Sequence, residues 1–142
     1  MAPEARLRAR CRMYLANGLP PPGFWSSVEM GRLHAGTPEQ RMHEWTRLAA
    51  QGVKVGLPDI MIWYVGRFIG IELKAGRNKS SDPQRAFAAA MRNNGFVVHE
   101  IRSIVGLHEA LEFEGVPVLR SMRIAALHHD AALSVPVKKR AA

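Results

Sequence analysis

The sequence has a single cysteine and no apolar run long enough to cross a membrane. With Cys11 alone, an internal disulfide is excluded, and no Cys/His cluster has the spacing of a zinc site. The longest uninterrupted apolar run, Ile60 to Val65, is far short of the ~20 residues that a membrane-spanning helix needs. We therefore expect an intracellular, cytoplasmic protein with no membrane partner.

Acidic residues are also scarce. Twelve Asp and Glu stand against twenty Lys and Arg, which gives a formal net charge of +8. An excess of this size favours a polyanionic partner such as nucleic acid. The 142 residues, 47% of them hydrophobic, are enough for one core. We expect a single domain over residues 1–120 and a C-terminal extension, 121–142, that ends in a basic, mobile tail.

Hydrophobic periodicity and turn signals predict alternating helices and strands. Thr37-Pro38-Glu39-Gln40 is a capping box that starts one helix, and Gly66-Arg67 reads as the turn of a hairpin. The predicted helices are 3–16, 38–51, 83–94 and 107–113, and the predicted strands are 24–33, 59–65, 67–74 and 96–101. This order predicts a mixed α/β fold in which helices cover the apolar side of a sheet.

The hairpin from residue 56 to residue 76 carries the chemistry. Glu72 and Lys74 are two residues apart on a strand, so their side chains share a face, and the turn brings Asp59 alongside them. Two neighbouring carboxylates attract a hard divalent cation such as Mg²⁺ or Mn²⁺, whose open positions suit phosphodiester hydrolysis. Lys74 could orient water and offset transition-state charge. The alternative is that Glu72 and Lys74 form an ordinary solvent-facing pair.

Pro58-Asp59, Glu72-Leu73-Lys74 and Gln84 together resemble the signature of the PD-(D/E)xK nuclease superfamily, and more narrowly that of the VRR-NUC domain. The resemblance implies a restriction-endonuclease-like core, with a mixed β-sheet flanked by helices. It also implies a Mg²⁺-dependent, structure-selective nuclease for branched or junction DNA in phage or bacterial replication and repair, acting as a homodimer.

The resemblance also assigns roles to residues. Asp59 and Glu72 would ligate the metal, the Leu73 carbonyl could add a ligand, Lys74 would be catalytic, and Gln84 would match the glutamine of the family. Gln84 could equally close a capping box with Ser81, and the two roles are compatible. The family often adds an acidic residue upstream, for which three residues compete: Glu4, Glu29 and Glu44.

Basic residues flank the proposed site in sequence and are candidates for DNA contacts, although each could be a solvated surface charge. They are Lys54, Arg77, Lys79, Arg85 and Arg92. The three tryptophans are expected in the core, and the histidines at the surface or in caps. The alternative function is that of a non-catalytic nucleic-acid-binding or assembly protein of a mobile element. The complete set of Asp59, Glu72 and Lys74 favours the enzyme.

Overall fold

A computed structural model describes residues 2–28 and 36–134 of the chain. Within these residues the elements are α1 (Pro3–Gly18), β1 (Phe24–Ser27), α2 (Pro38–Ala50), β2 (Ile60–Tyr64), β3 (Arg67–Leu73), α3 (Asp82–Asn93), β4 (Val97–Ile101), α4 (Ile104–Phe113) and α5 (Arg120–Ser134). The predicted mixed α/β architecture is confirmed, and the predicted elements lie within about three residues of their expected bounds, except that β1 ends at Ser27. Most of residues 28–33, predicted to continue the first strand, lie outside the described residues.

The four strands form one mixed sheet in the order β1-β2-β3-β4. The first three strands are antiparallel, whereas β3 and β4 are parallel and are connected through α3. Ile60 stands opposite Ile71, and Glu72 stands beside Glu100 of β4. Because side chains alternate along a strand, Glu72 points to the face opposite that of Ile71.

The hairpin turn lies one residue earlier than the sequence predicts. Tyr64 pairs with Arg67, so the turn residues are Val65 and Gly66, with φ angles of 41° and 72°. Positive φ at both central residues matches the right-handed twist of the strands, although it is uncommon for a β-branched residue such as valine. Since Arg67 remains in β3, the hairpin register still places Asp59 next to Glu72.

One face of the sheet is packed into the core. Ile69, Ile71 and Leu73 are completely buried and pack in one cluster with the apolar sides of α1 and α4. The predicted apolar stripe of α1 is confirmed, and Cys11 on it is completely buried. Burial, with a smaller contribution from nearby acidic groups, raises the pKa of the Cys11 thiol to about 12, so this residue is a core side chain and not a nucleophile.

The helix α5 is an element that the sequence did not predict. It follows Val118 and packs against α4 and α1. The Asp130 carboxylate accepts hydrogen bonds from the backbone N–H groups of Ile104, at 2.6 Å, and Val105, at 2.9 Å, at the start of α4. Residues 121–134 are therefore a helix joined to the core, while the basic residues near the end of the chain lie outside the described residues.

Two expectations about single side chains were wrong. His108 is not at the surface, because it is 2% exposed and its Nδ1 lies 2.5 Å from the Tyr14 hydroxyl. Trp63 is not in the core, since it is 38% exposed and packs between Phe24 and Phe68. Along residues 2–28 and 36–134, no helix is long and apolar enough to cross a membrane.

Candidate active site

The hairpin brings Asp59 and Glu72 together, as predicted. Asp59 directly precedes β2, and its Oδ2 accepts a hydrogen bond of 2.8 Å from the backbone N–H of Leu73. Glu72 is only 5% exposed. Burial, followed by the charge of Asp59, raises the pKa of Glu72 to about 7, against an ordinary value of 4.5. Burial and the neighbouring carboxylate thus disfavour the ionised form of Glu72, and Lys74 offsets only part of this effect.

Lys74 and Gln84 complete this group of side chains. The Lys74 ammonium lies 3.1 Å from Glu72 Oε1 and donates a hydrogen bond of 2.9 Å to Gln84 Oε1. The Gln84 amide donates in turn to Glu72. Lys74 is 7% exposed, so the alternative in which it forms a solvent-facing pair with Glu72 is wrong. The Lys74 ammonium is thus held in place by a carboxylate and an amide oxygen.

Gln84 closes the predicted capping box, and its side chain also contacts Lys74 and Glu72. Its Oε1 accepts from the backbone N–H of Ser81 at 2.9 Å, and its own N–H donates to Ser81 Oγ at 3.4 Å. This is the capping box that starts α3. Because the same Oε1 accepts from Lys74, the first turn of α3 fixes the ammonium group in place.

Gly56 lets the chain before β2 approach the start of α3. Its φ angle is 88°, and a Cβ added there would lie 2.3 Å from the backbone oxygen of Pro83. No other residue type fits this contact without a shift of the backbone. A cavity of about 380 Å³ opens beside it, lined by Arg8, Val28, Trp45, Val55, Gly56, Leu57, Pro58, Asp59, Ser81 and Gln84. A neighbouring cavity of about 130 Å³ reaches Glu72 and Glu100.

Arg8 is the site residue that the sequence did not reveal. It lies on α1, and its Nη2 is 2.5 Å from Asp59 Oδ1. The first helix thus contributes a cation at the place where an acid was expected. Its position directly after the buried Leu7 does not set it apart, because Arg6 and Arg12 also adjoin buried residues of α1.

Of the three candidate upstream acids, the two that the structure describes, Glu4 and Glu44, do not join Asp59 and Glu72 as possible metal ligands. Glu44 pairs with Arg47 on the exposed side of α2, with 2.5 Å between Oε1 and Nη2, and this contact lowers the Glu44 pKa. Glu4 lies in the first turn of α1, one turn before Arg8, and it is Arg8 that contacts Asp59. Glu29 lies outside the described residues.

The loop between β3 and α3 leaves the site directly after Lys74. Arg102 holds this loop by donating to the carbonyls of Gly76, at 2.6 Å, and Asn78, at 2.7 Å. Arg102 also pairs with Glu100, which accepts from Ser80 Oγ at 2.8 Å. The Ser80 hydrogen bond, followed by Arg102, lowers the pKa of Glu100. The sequence pattern did not single out Arg102 or Glu100, since both depend on the parallel pairing of β3 and β4.

The predicted DNA-contacting residues are exposed. Lys54 precedes the site, Arg77 and Lys79 lie in the loop after Lys74, and Arg92 lies in the last turn of α3. Arg85 differs from the others because its guanidinium is occupied by the Ser80 carbonyl and by Asp82. Of the predicted set, Arg85 is thus the residue already engaged within the protein.

The donor set suits a hard divalent cation bound by two acidic side chains. Asp59 and Glu72 offer carboxylate oxygens, and a bound cation would favour the ionised form of Glu72, which burial and Asp59 disfavour. In the part of the chain that the structure describes, no group of three or more His, Cys, Asp or Glu side chains is placed to hold a metal ion. A metal here would depend on these two carboxylates, with backbone oxygen and water as its other ligands.

Comparisons of the chain with protein-family models, curated proteins and solved structures find no match.

Proposed function

We propose that the protein is a divalent-metal-dependent nuclease that hydrolyses phosphodiester bonds in DNA, and that its mixed α/β fold is of the restriction-endonuclease-like type. The observation that carries the proposal is the group formed by the partly exposed Asp59 with the buried Glu72 and Lys74. Burying the ion pair of Glu72 and Lys74 costs desolvation free energy, and apolar residues would stabilise the fold at least as well. The signature that resembles the VRR-NUC domain comprises these same residues.

Asp59 and Glu72 would hold Mg²⁺ or Mn²⁺, with the Leu73 carbonyl as a further ligand. When bound, such an ion polarises a phosphoryl oxygen and lowers the pKa of a coordinated water. The Leu73 N–H keeps Asp59 in place through the 2.8 Å bond to Oδ2, so its position is set by the strand β3. A carboxylate held by backbone in this way loses little entropy when it binds a ligand.

Lys74 would act on the reacting groups. Its ammonium, 3.1 Å from Glu72, is close enough to orient a water beside that carboxylate and to stabilise the charge that develops on the phosphoryl oxygens. Gln84 positions Lys74 through the 2.9 Å hydrogen bond and also contacts Glu72. The start of α3 thus orients both partners.

DNA is the substrate that the charge of the chain favours. The net charge of +8 and the exposed Lys54, Arg77 and Lys79 around the site would bind the phosphate backbone. Branched or junction DNA as the preferred substrate, and a homodimer as the active form, follow from the VRR-NUC resemblance and remain part of the proposal.

Purified protein incubated with single-stranded, duplex, flapped and four-way DNA tests the proposal. We expect cleavage with Mg²⁺ or Mn²⁺, none with EDTA, and none with Asp59→Asn, which preserves the side-chain shape but removes the charge. Size-exclusion chromatography with light scattering gives the oligomeric state. DNA binding without cleavage of any substrate in either metal would contradict the nuclease and favour the non-catalytic binding protein.

A further inference from the structure

Arg8 contacts Asp59. If Asp59 bound a metal ion, it would have to release this contact or share its oxygen between Arg8 and the metal. Asp59 Oδ2 is taken by the backbone N–H of Leu73, and Oδ1 by the Arg8 guanidinium at 2.5 Å. The first contact belongs to the strand β3 and persists as long as the sheet does. The second involves a long side chain with several rotatable bonds, so it can be exchanged without a change of fold.

The Arg8 guanidinium has capacity for another acceptor. Its Nε is buried and has no hydrogen-bond partner among the described residues. Arg6 on the same helix also has a buried Nε, so this atom alone does not mark a site. A phosphate would bind the guanidinium of Arg8 after the side chain has turned away from Asp59, when Nε and the Nη groups become accessible. The side chain of Arg8 is 27% exposed and that of Asp59 is 16% exposed, so solvent and ligands reach the pair from one side.

The cavity beside the pair provides room for such an anion. Arg8 and Asp59 both line the cavity of about 380 Å³, together with Ser81 and Gln84 at the start of α3. A guanidinium binds a phosphate through two parallel hydrogen bonds more readily than any other side chain does. The same cavity therefore joins the proposed metal ligand to a group suited to a DNA phosphate.

We propose that Arg8 is an exchangeable counter-ion. It neutralises Asp59 in the metal-free protein, competes with the divalent cation for Oδ1, and binds a backbone phosphate of the DNA once the cation has taken Asp59. This inference rests on the proposed function, because it requires Asp59 to be a metal ligand. Its consequence is that metal and DNA bind cooperatively, since each removes Arg8 from its contact with Asp59.

Mn²⁺ titration followed by electron paramagnetic resonance tests the competition without any need for turnover. We expect Arg8→Met to bind Mn²⁺ about tenfold more tightly than the unaltered protein, because a competing charge has been removed. Arg10→Met is the matched control. It removes the same charge from the same helix two residues further on, about 200° around the axis, and should leave Mn²⁺ affinity unchanged.

DNA binding tests the second half of the exchange. In a Lys74→Ala background that prevents cleavage, with Mn²⁺ present, Arg8→Met should weaken DNA binding and reduce the slope of log affinity against log salt by about one. An unchanged slope would overturn the phosphate contact. Should Arg8→Met fail to fold, Arg8→Gln, which is uncharged but polar, replaces it in both measurements.

The outcomes separate this inference from the proposed function. Equal or weaker Mn²⁺ binding by Arg8→Met, alongside clear Mn²⁺ binding and cleavage by the unaltered protein, would overturn the exchange and leave the nuclease intact. Absence of Mn²⁺ binding in both proteins would overturn the nuclease and the exchange together.

Discussion

The helices that cover the core differ from those near the candidate site in how they are held. Helices α1 and α4 bury nine side chains between them, whereas α2 and α3 have no fully buried residue. The helix α3 contacts β4, its side chains Phe87 and Met91 are half-buried, and its first turn adds polar contacts through Gln84 and a close backbone approach at Gly56. Apolar burial therefore stabilises one side of the sheet, and the proposed chemistry lies on the other.

This difference predicts that activity and stability can be lost separately. Substitutions at the site should reduce cleavage more than they reduce the free energy of unfolding, and substitutions in the core should do the reverse. A residue that affected both equally would show that the two sides are coupled.

The largest expected effect is on activity. Lys74→Ala should reduce the cleavage rate by about a thousandfold or more, the scale of losing a group that stabilises transition-state charge. The fold should persist, because Glu72, with its pKa already raised to about 7, can take up a proton when the ammonium is gone. Initial rates on flapped DNA and the thermal midpoint measure the two effects, and DNA binding should change little.

The control is Lys54→Ala, which removes an exposed lysine near the site. Full turnover by Lys74→Ala would remove the lysine from the mechanism.

The core should respond in the opposite way. Ile71 is completely buried in β3 next to Glu72, and Ile71→Ala should lower the free energy of unfolding by about 2–5 kcal/mol through lost burial and the cavity left behind. Urea denaturation measures this loss. Phe113→Ala, at a side chain that is 83% exposed, should change stability by less than about 0.5 kcal/mol. Similar losses in both variants would contradict the described core.

The dependence of stability on pH is an effect of intermediate size. The pKa of Glu72 is raised from 4.5 to about 7, first by burial and then by Asp59, so the folded protein binds a proton that the unfolded chain does not. This contribution to stability is complete below pH 4.5 and is lost as the pH rises through about 7. It amounts to at most about 3 kcal/mol. Unfolding with EDTA present, at several pH values, should show a loss of stability in this range.

Glu72→Gln isolates this pH effect from that of the other titrating groups. The variant cannot bind the proton, so its free energy of unfolding relative to that of the unaltered protein should increase between pH 5 and pH 8. A difference that stays constant across this range would mean that Glu72 is ionised throughout and that Asp59 does not affect it.

The sequence predicted the parts of the molecule that depend on local pattern. Asp59, Glu72 and Lys74 could be grouped because a hairpin and the alternation of a strand determine their neighbours within a short segment. Gln84 could be placed because a capping box has a fixed spacing. The turn at Val65 was misplaced because valine is rare at positive φ, so the pattern favoured Gly66-Arg67 instead.

The missed parts depend on packing between distant segments. Arg8 and Asp59 are 51 residues apart, and nothing in the periodicity of α1 shows which arginine faces the site. The attachment of the helix α5 includes a hydrogen-bonded contact that spans 26 residues, from Asp130 to Ile104. A tertiary contact of this kind leaves no local signal in the sequence.

The smallest effect that we predict is a loss of stability when the contact between Asp130 and the start of α4 is removed. Asp130→Ala removes an acceptor for the backbone N–H groups of Ile104 and Val105 at the start of α4, and losing a cap of this kind costs about 1 kcal/mol. Since α5 packs on the core side, cleavage per folded molecule should be unchanged. Hydrogen exchange should show faster exchange in α5 and at the start of α4, with α3 unaffected. Loss of activity at unchanged stability would instead place α5 in the active site, and the separation between the two sides of the sheet would no longer hold.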